Sequence, residues 1–199
     1  NRQLSEINSI VKSYDPSATV IGEAPMMKDL QDTTDVDLKR VNILSIAAIF
    51  IIIMITFRSF SLPAILVAVI EFAINVNMAV PYFQGISLPF VASIVIGTIQ
   101  LGATVDYAIL MTNRYVNERR AGRSKDEAVS IAHRSSMMSI LTSGCSFFVA
   151  TFGVSVYSRV DMIGSICTLL SRGALISMVA VLFLLPAMFS LLDGIIVRK

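Results

Sequence analysis

The chain has 199 residues, of which 55% are hydrophobic and 15% are charged, and its mean hydropathy is +0.74. Soluble domains carry about 25% charged residues, so this composition indicates a protein that lies in a lipid bilayer. The net charge of +2 gives no indication of a nucleic-acid partner. Two cysteines and one histidine support neither a disulfide framework nor a zinc site. We therefore expect no nucleic acid, no metal and no cofactor.

Residues 1–40 have the composition of the end of a soluble domain, since they hold 12 of the 30 charged residues. Apolar residues at helical spacing predict a first helix, residues 18–22 are predicted to form a short strand, and Pro25 is expected to open a second helix. This segment is too short to close a hydrophobic core alone. The chain starts at Asn1 without a signal segment, so we expect it to be part of a longer protein.

Residues 41–199 are predicted to form a membrane domain of five spans. A helix needs about 20 residues to cross the hydrocarbon core, with a range of roughly 17–25. The segments that meet this requirement are residues 41–57, 63–82, 89–113, 135–158 and 162–192. The fold class expected from the residues is therefore an all-α membrane bundle.

The distribution of Lys and Arg predicts the orientation of the bundle. Basic residues occur at Arg58, throughout residues 114–134 and at residues 198–199, whereas the short loops of the other side hold only Arg159. The positive-inside rule makes the basic side cytoplasmic. Residues 1–40 are then extracytoplasmic and the C-terminus is cytoplasmic.

The basic loop of residues 114–135 is expected to contain an amphipathic helix. Ser124 is a good N-cap and Glu127 follows three residues later, which is the pattern of a capping box. The apolar stripe of this helix consists of Ala128, Ile131 and Ala132. Its basic residues are either topology determinants on a solvated face or a site for anionic lipid.

Asp106 is the first of three ionisable residues within the predicted spans. An aspartate at the centre of a membrane helix costs about 2.5–3.5 kcal/mol on insertion scales. One turn earlier, Gly102 and Ala103 are small enough to let another helix approach closely, and Tyr107 adds a phenolic hydroxyl. We interpret Asp106 as a candidate proton relay, with a structural hydrogen bond as the alternative.

Glu71 and Arg172 are the other two ionisable residues in the spans. Glu71 is predicted to lie at the depth of Asp106, with Asn75 one turn along the same face. Glu71 and Asn75 either share a polar cavity with Asp106 or hold neighbouring helices in register. Arg172 is either a counter-ion for one of the carboxylates, in a structural ion pair, or a ligand for an acidic group of a substrate.

Several segments resemble one transporter family. Residues 96–107 read IGTIQLGATVDY, and the motifs NRY and ERR follow at residues 113–115 and 118–120. Further matches are TFRS at residues 56–59, RGA at residues 172–174 and LPA at residues 185–187. Together they make the chain, from about residue 20 onwards, resemble the MMPL family of the RND superfamily, and the Asp-Tyr pair is the specific element.

The resemblance implies a fold and an activity. Proteins of this family have two similar halves, each with a lone helix, an extracytoplasmic porter domain and five further helices. The chain then corresponds to a C-terminal half, in which residues 1–40 are a short α/β remnant of a porter domain and the five spans are half of an RND-type membrane domain. The implied activity is that of a secondary active transporter and not an enzyme, with Asp106 and Tyr107 as proton relay.

The resemblance also implies partners. They are membrane lipids, the other half of the same transporter and a lipid or other hydrophobic substrate that is exported across the cell membrane by the proton-motive force. Pairing with further copies is a second possibility, through pairs of small residues four apart. These pairs are Ser93 with Gly97 and Ala64 with Ala68.

Two rival functions are also compatible with the sequence. One is a regulatory or scaffold module that resembles sterol-sensing membrane domains, in which the bundle binds lipid without pumping and Asp106 is a structural tie. The other is an intramembrane enzyme, which the sequence does not favour because it offers no nucleophile–base constellation.

Overall fold

The computed structural model describes residues 2–85 and 90–196, without the side chains of residues 2–3, 31–32, 35, 38 and 90–95. The described residues are almost entirely helical and contain no strand. The chain divides into two units, Asn1–Leu44 and Ser45–Lys199.

The first unit contains helix α1, Arg2–Tyr14, and the beginning of helix α2, Glu23–Phe57. Asp15 ends the first helix with a turn, because its Oδ1 accepts hydrogen bonds from the Ser17 backbone N–H at 2.9 Å and the Ser17 hydroxyl at 2.7 Å. These bonds favour the ionised carboxylate and lower the pKa of Asp15. Pro25 lies in the first turn of α2, where its missing N–H has no consequence.

The strand predicted over residues 18–22 is wrong. These residues are irregular, and the described part of the unit offers no second strand to accept their backbone hydrogen bonds. The α/β character expected for residues 1–40 is therefore absent from the described residues, which form two helical segments and a connection.

The second unit is a helical bundle. After the end of α2 it contains α3, Ser61–Gln84, α4, Phe90–Arg120, and α5, Lys125–Tyr157. The last run consists of α6, Asp161–Val179, a π-helical segment, Ala180–Leu184, and α7, Leu185–Ile196. Helices α3 to α7 pack around one apolar core, in which the largest fully buried side chains include Leu66, Ile70, Met111, Tyr115 and Phe189.

In the described part of the chain, four helical runs are long and apolar enough to cross a membrane. They are Lys39–Phe57, Ser61–Gln84, Lys125–Tyr157 and Asp161–Ile196. The remaining predicted span, the third in the chain, covers residues 89–113, and from residue 90 onwards it falls within α4, which is 31 residues long. Its described part is less apolar because it carries Gln100, Asp106 and Asn113.

The predicted capping box of the basic loop is present. The Glu127 N–H donates to the Ser124 hydroxyl at 3.4 Å, and the Ser124 N–H donates to Glu127 Oε2 at 3.2 Å. Ala128 and Ala132 of the predicted stripe are buried. The structure differs in one respect: the loop helix and the fourth predicted span are a single helix, α5, since nothing interrupts helical geometry between them.

The last helical run changes its geometry before Pro186. Proline lacks an N–H, and its ring crowds the carbonyl of the residue four positions earlier. The crowded carbonyl belongs to Leu182, inside the π segment, where the turn is wider. There the Leu185 N–H donates to the Ala180 carbonyl, five residues earlier. The local change of geometry before Pro186 is thus a π segment.

Candidate functional site

Asp106 lies in the middle of α4, on a face that the second unit leaves uncovered. It comes sixteen residues after Phe90 and fourteen before Arg120. The exposed residues of this face repeat at helical spacing and include Ile99, Gly102, Asp106, Leu110 and Asn113. Among the described residues, no side chain or backbone group forms a hydrogen bond or ion pair with the Asp106 carboxylate. A carboxylate is therefore presented at mid-helix without a partner among the described residues.

Tyr107, the neighbour of Asp106, lies in the core. Its side chain is 7% exposed and belongs to the apolar cluster of the bundle. Consecutive helical residues are separated by about 100° around the axis, which explains why one side chain points outward and the other inward. Asp106 and Tyr107 are therefore neighbours in the chain whose side chains lie on different faces of α4.

The small residues predicted for close helix packing make no close contact within the described residues. A Cβ atom built on Gly102 meets nothing within 4 Å, and the same holds for Gly97. Ala103 is half-buried, and Ala64 and Ala68 are exposed. The side chain of Ser93 lies outside the described residues. The small face of α4 is thus as open as the Asp106 carboxylate beside it.

Close approach occurs instead on α5 and α6. A Cβ atom on Gly144 would lie 2.9 Å from the sulfur of Met178. A Cβ atom on Gly173 would lie 2.6 Å from Asn77 Nδ2 and 2.7 Å from Gln100 Oε1. Glycine is required at residue 173 because two polar side chains from other helices occupy the space where a Cβ would stand.

These side chains form a polar junction between α3, α4 and α6. Asn77 Nδ2 donates to Gln100 Oε1 at 2.8 Å and to the Leu169 carbonyl at 3.1 Å. Gln100 Nε2 donates to the Ser177 hydroxyl at 3.0 Å and to the Gly173 carbonyl at 3.4 Å. Asn77, Gln100 and Ser177 are 0%, 2% and 2% exposed. Because each amide finds partners, the junction fixes the rotation of α4 without leaving those amide groups unsatisfied in the core.

Arg172 extends this junction. Its Nε donates to the side-chain Oδ1 of Asn77 at 2.9 Å, and its Nη2 donates to the backbone carbonyl of Asn77 at 3.0 Å. Within the described residues no carboxylate pairs with it, so neither Asp106 nor Glu71 serves as its counter-ion there. Arg172 acts here as a donor that orients the Asn77 amide.

Glu71 and Asn75 do not meet the other candidates. Asn75 is exposed, and its amide donates to the backbone carbonyl of Glu71 at 2.7 Å, which is a bond within α3. The side chain of Glu71 is half-buried, and its buried Oε1 has no hydrogen-bond partner among the described residues. Glu71 is therefore a second carboxyl group within the bundle whose charge no neighbour balances there.

The basic end of the unit is organised around Asp193. The Tyr115 hydroxyl donates to Asp193 Oδ1, and Arg119 donates to both carboxylate oxygens through Nε and Nη2, each at 2.8 Å. The Tyr115 ring stacks on Phe189 with ring centroids 4.5 Å apart. Arg119 Nη1 also donates to the Arg123 carbonyl at 2.7 Å. This cluster joins the end of α4, the following loop and α7.

A cavity of about 400 Å³ opens at the same end. Its lining comes from four parts of the unit, namely the end of α2, the start of α3, the end of α4 and the end of α7. Representative residues of these four parts are Phe57, Leu62, Arg120 and Ile196. These four helix ends therefore lie at one end of the bundle.

The sequence reasoning missed Asn77, Gln100, Ser177 and Asp193. Uncharged amides do not stand out among the polar residues of a membrane helix, although Gln100 belongs to the segment that resembles the MMPL family. Asp193 directly follows the last predicted span, at the first position outside it. A search for polar residues that face one another across helices would have required knowledge of which faces pack.

Comparisons with known proteins agree with the resemblance. The sequence profile of the MMPL family matches residues 1–195. The chain is 23% identical, over 96% of its length, to the probable transport protein MmpL9 of Mycobacterium tuberculosis (strain ATCC 25618 / H37Rv), of which it covers 21%. It is 24% identical, again over 96% of its length, to the siderophore exporter MmpL5 of Mycobacterium tuberculosis (strain CDC 1551 / Oshkosh), of which it covers 20%.

A third relative is the probable transport protein MmpL4 of Mycobacterium leprae (strain TN), which is 26% identical over 87% of this chain and 18% of its own length. The chain thus spans about a fifth of the length of the curated relatives it matches. Its apolar helices and these relatives make it a multi-pass membrane protein. With a family profile that covers nearly every residue, the chain belongs to the MMPL family.

Proposed function

We propose that the chain is part of a proton-driven exporter of lipids or other hydrophobic molecules, in which Asp106 takes up and releases the proton. The observation that carries this proposal is the open face of α4, where a carboxylate that no described residue pairs with stands at mid-helix, one turn after Gly102. Contact of this face with lipid is unfavourable, because the insertion of an aspartate at the centre of a membrane helix costs about 2.5–3.5 kcal/mol of free energy. A second protein surface is the more favourable cover.

The cover we propose is the other half of the same transporter. A helix that crosses α4 at Gly102 can approach its backbone closely, since no side chain stands between them. The Asp106 carboxylate then lies at the contact between the halves. Uptake of a proton removes its charge and changes the free energy of that contact, which provides a physical route from proton binding to movement.

The polar junction determines how such a movement is transmitted. Gln100 is hydrogen-bonded to residues of α3 and α6, and it lies on the buried side of the helix that presents Asp106. Because these bonds hold α4 against α3 and α6, we expect the three helices to move as one body. Tyr107 contributes a hydroxyl inside this body, next to Asp106 along the chain, and we propose it as the second member of the relay.

Glu71 is proposed as an additional protonatable group. Its buried Oε1 has no hydrogen-bond partner among the described residues, so protonation would remove an unbalanced charge from the bundle. Since Glu71 lies on α3, which is joined to α4 through Asn77, its charge state can influence the same body. Arg172 supports this connection as the donor that orients Asn77.

The proposal includes a fifth membrane crossing, by α4, with residues 1–40 outside the cytoplasm and the basic end inside. The cavity at the basic end supports this crossing. It is lined by the start of α3 and by the end of α4, so these two helix ends lie at the same end of the bundle. The length of α4 supports it as well, because 31 residues of helix extend about 46 Å. The hydrocarbon core is about 30 Å thick.

The test uses the full-length protein in proteoliposomes with an internal pH dye and a fluorescent phospholipid as the transported probe. Wild type is compared with Asp106→Asn and with the matched control Asp126→Asn, which removes an exposed carboxylate at the start of α5. We expect probe-dependent proton flux to be lost in Asp106→Asn and kept in Asp126→Asn. Full transport by Asp106→Asn would refute the relay. Probe binding without proton flux in wild type would favour a lipid-binding regulatory module.

A further inference from the structure

The cavity at the basic end of the second unit has the lining of an anion site. It holds about 400 Å³. Three arginines and two serines are among its lining residues, namely Arg58, Ser59, Ser61, Arg119 and Arg120. The remaining lining is apolar and includes Leu62 and Ile196. Positive charge, hydroxyl donors and hydrocarbon walls are thus combined in one concave surface.

Two of the three arginines keep their charge available. Arg119 is neutralised, because Asp193 accepts two of its hydrogen bonds. Arg58 and Arg120 are exposed, and no acidic side chain among the described residues pairs with either of them. The cavity therefore presents about two uncompensated positive charges.

The backbone around Arg58 points to a constraint on this residue. Arg58 adopts a φ of 51°, which is the left-handed conformation that glycine adopts without strain. It is the only described non-glycine residue with a positive φ. Strained backbone conformations of this kind cluster at ligand-binding sites, and Arg58 is one of the lining residues of the cavity.

The start of α3 adds donors to the same cavity. No side chain caps this helix, whose N-cap position is Phe60. The hydroxyls of Ser59 and Ser61 have no hydrogen-bond partner among the described residues. They stand where a bound anion would also meet the positive end of the helix dipole.

We propose that this cavity binds the phosphate of an anionic phospholipid headgroup. A phosphodiester accepts paired hydrogen bonds from a guanidinium, and the two free arginines match its charge and that of the surrounding anionic surface. The apolar walls suit the first methylenes of the acyl chains, because the cavity lies between the ends of two helices, α2 and α3, that are long and apolar enough to cross a membrane. In the topology proposed above this is the cytoplasmic leaflet. The proposal does not depend on the proton relay.

The same chemistry would attract free phosphate, so the experiment separates the two sources. The purified full chain is studied by native mass spectrometry with equal concentrations of phosphatidylglycerol and phosphatidylcholine, and then with glycerol 3-phosphate as a water-soluble competitor. We expect phosphatidylglycerol to be retained in preference to phosphatidylcholine and not to be displaced by an equal concentration of the competitor. Equal retention of the two lipids, or displacement by glycerol 3-phosphate, would overturn the proposal.

Variants locate the site. The double variant Arg58→Gln/Arg120→Gln is expected to lower retention of phosphatidylglycerol on the order of 30-fold, about fivefold for each arginine near a membrane surface. The matched control Arg114→Gln/Arg159→Gln removes the same charge from exposed positions outside the cavity and should leave retention unchanged. An equal loss in the control would show that net charge alone attracts the lipid, against the proposal.

One further variant distinguishes a loss of lipid binding from a loss of folding. Arg58→Gly relieves the positive φ while it removes the guanidinium, so it is expected to fold at least as stably as wild type and still to lose about fivefold in lipid retention. Unchanged retention in a stable Arg58→Gly protein would count against the site. Asp106→Asn should retain the lipid as wild type does, which distinguishes failure of this proposal from failure of the relay.

Discussion

Asp193 holds the guanidinium of Arg119 at both carboxylate oxygens, with two hydrogen bonds of 2.8 Å. The paired geometry fixes the angle between the two side chains as well as their distance. Asp193 lies on α7 and Arg119 on α4, and the two residues are 74 positions apart in the chain. The bond therefore closes one end of the bundle.

Asp193→Asn is expected to destabilise the second unit by about 1–3 kcal/mol, because the amide can no longer accept from Arg119 at both positions and Tyr115 loses a charged acceptor. The measurement is thermal unfolding of the purified chain in detergent, followed by circular dichroism. Asp29→Asn, an exposed position in the first unit, is the control and should leave the transition in place. If Asp193→Asn unfolds at the same temperature as the control, the contact does not stabilise the bundle.

Gly173→Ala is expected to destabilise the bundle by about 1–3 kcal/mol, because the added methyl group would lie 2.6 Å from Asn77 Nδ2 and force the polar junction apart. Gly153→Ala makes the same chemical change at a position on α5 where a Cβ meets nothing within 4 Å. This control should be neutral or stabilising by up to about 1 kcal/mol, as expected for alanine in a helix. The same unfolding assay compares the two, and equal stability would show that the junction can rearrange.

Gly102→Leu tests the open face of α4. Since a Cβ there meets nothing within 4 Å, the second unit should unfold at the wild-type temperature. The bulky side chain should nevertheless abolish transport by the full-length protein, because it occupies the surface that we assign to the other half. Gly153→Leu, also in open space, is the control and should retain transport. Wild-type transport by Gly102→Leu would show that no helix packs there.

The turn at Asp15 has a predictable response to pH. Ser17→Ala removes the hydroxyl donor, which is the largest cause of the lowered pKa of Asp15, so the pKa should rise toward about 3.9, the ordinary value for aspartate. A lowered pKa stabilises the turn above the ordinary pKa, and this contribution is lost as the pH falls through the lowered value. The carboxyl carbon chemical shift of Asp15, followed by NMR during acid titration, reports the pKa of Asp15 in wild type and in Ser17→Ala. A midpoint that does not move would assign the effect to another group.

Local signals allowed the correct prediction of local structure. The capping box follows from two residues three apart, so Ser124 and Glu127 identified the start of α5 without any knowledge of the fold. The membrane character followed from long apolar segments in the same way. The strand over residues 18–22 failed because a strand exists only with a partner, which five residues of sequence do not specify.

The site shows where such reasoning stops. Gly102 and Gly173 are both glycines in apolar helices, and only the packing of α3 and α4 around α6 makes the second one indispensable. Asp106 was conspicuous because it is charged. Asn77 and Gln100 were not, although both are more deeply buried. Which amides face each other depends on helix rotation, and single-sequence periodicity does not determine rotation when all faces of a helix are apolar.

The π segment Ala180–Leu184 determines how the residues after it are rotated around the helix axis relative to the residues before it. Ser177 lies before it and Asp193 after it, and each forms a hydrogen bond with α4, through Gln100 and Arg119 respectively. In an uninterrupted α-helix, the interval between them would leave the two side chains about 160° apart around the axis. A π turn accommodates about one additional residue, which reduces that angle to about 60°. The number of residues in this run is therefore constrained as strictly as their identity, because a single deletion would turn Asp193 away from its partner while Ser177 stayed in place.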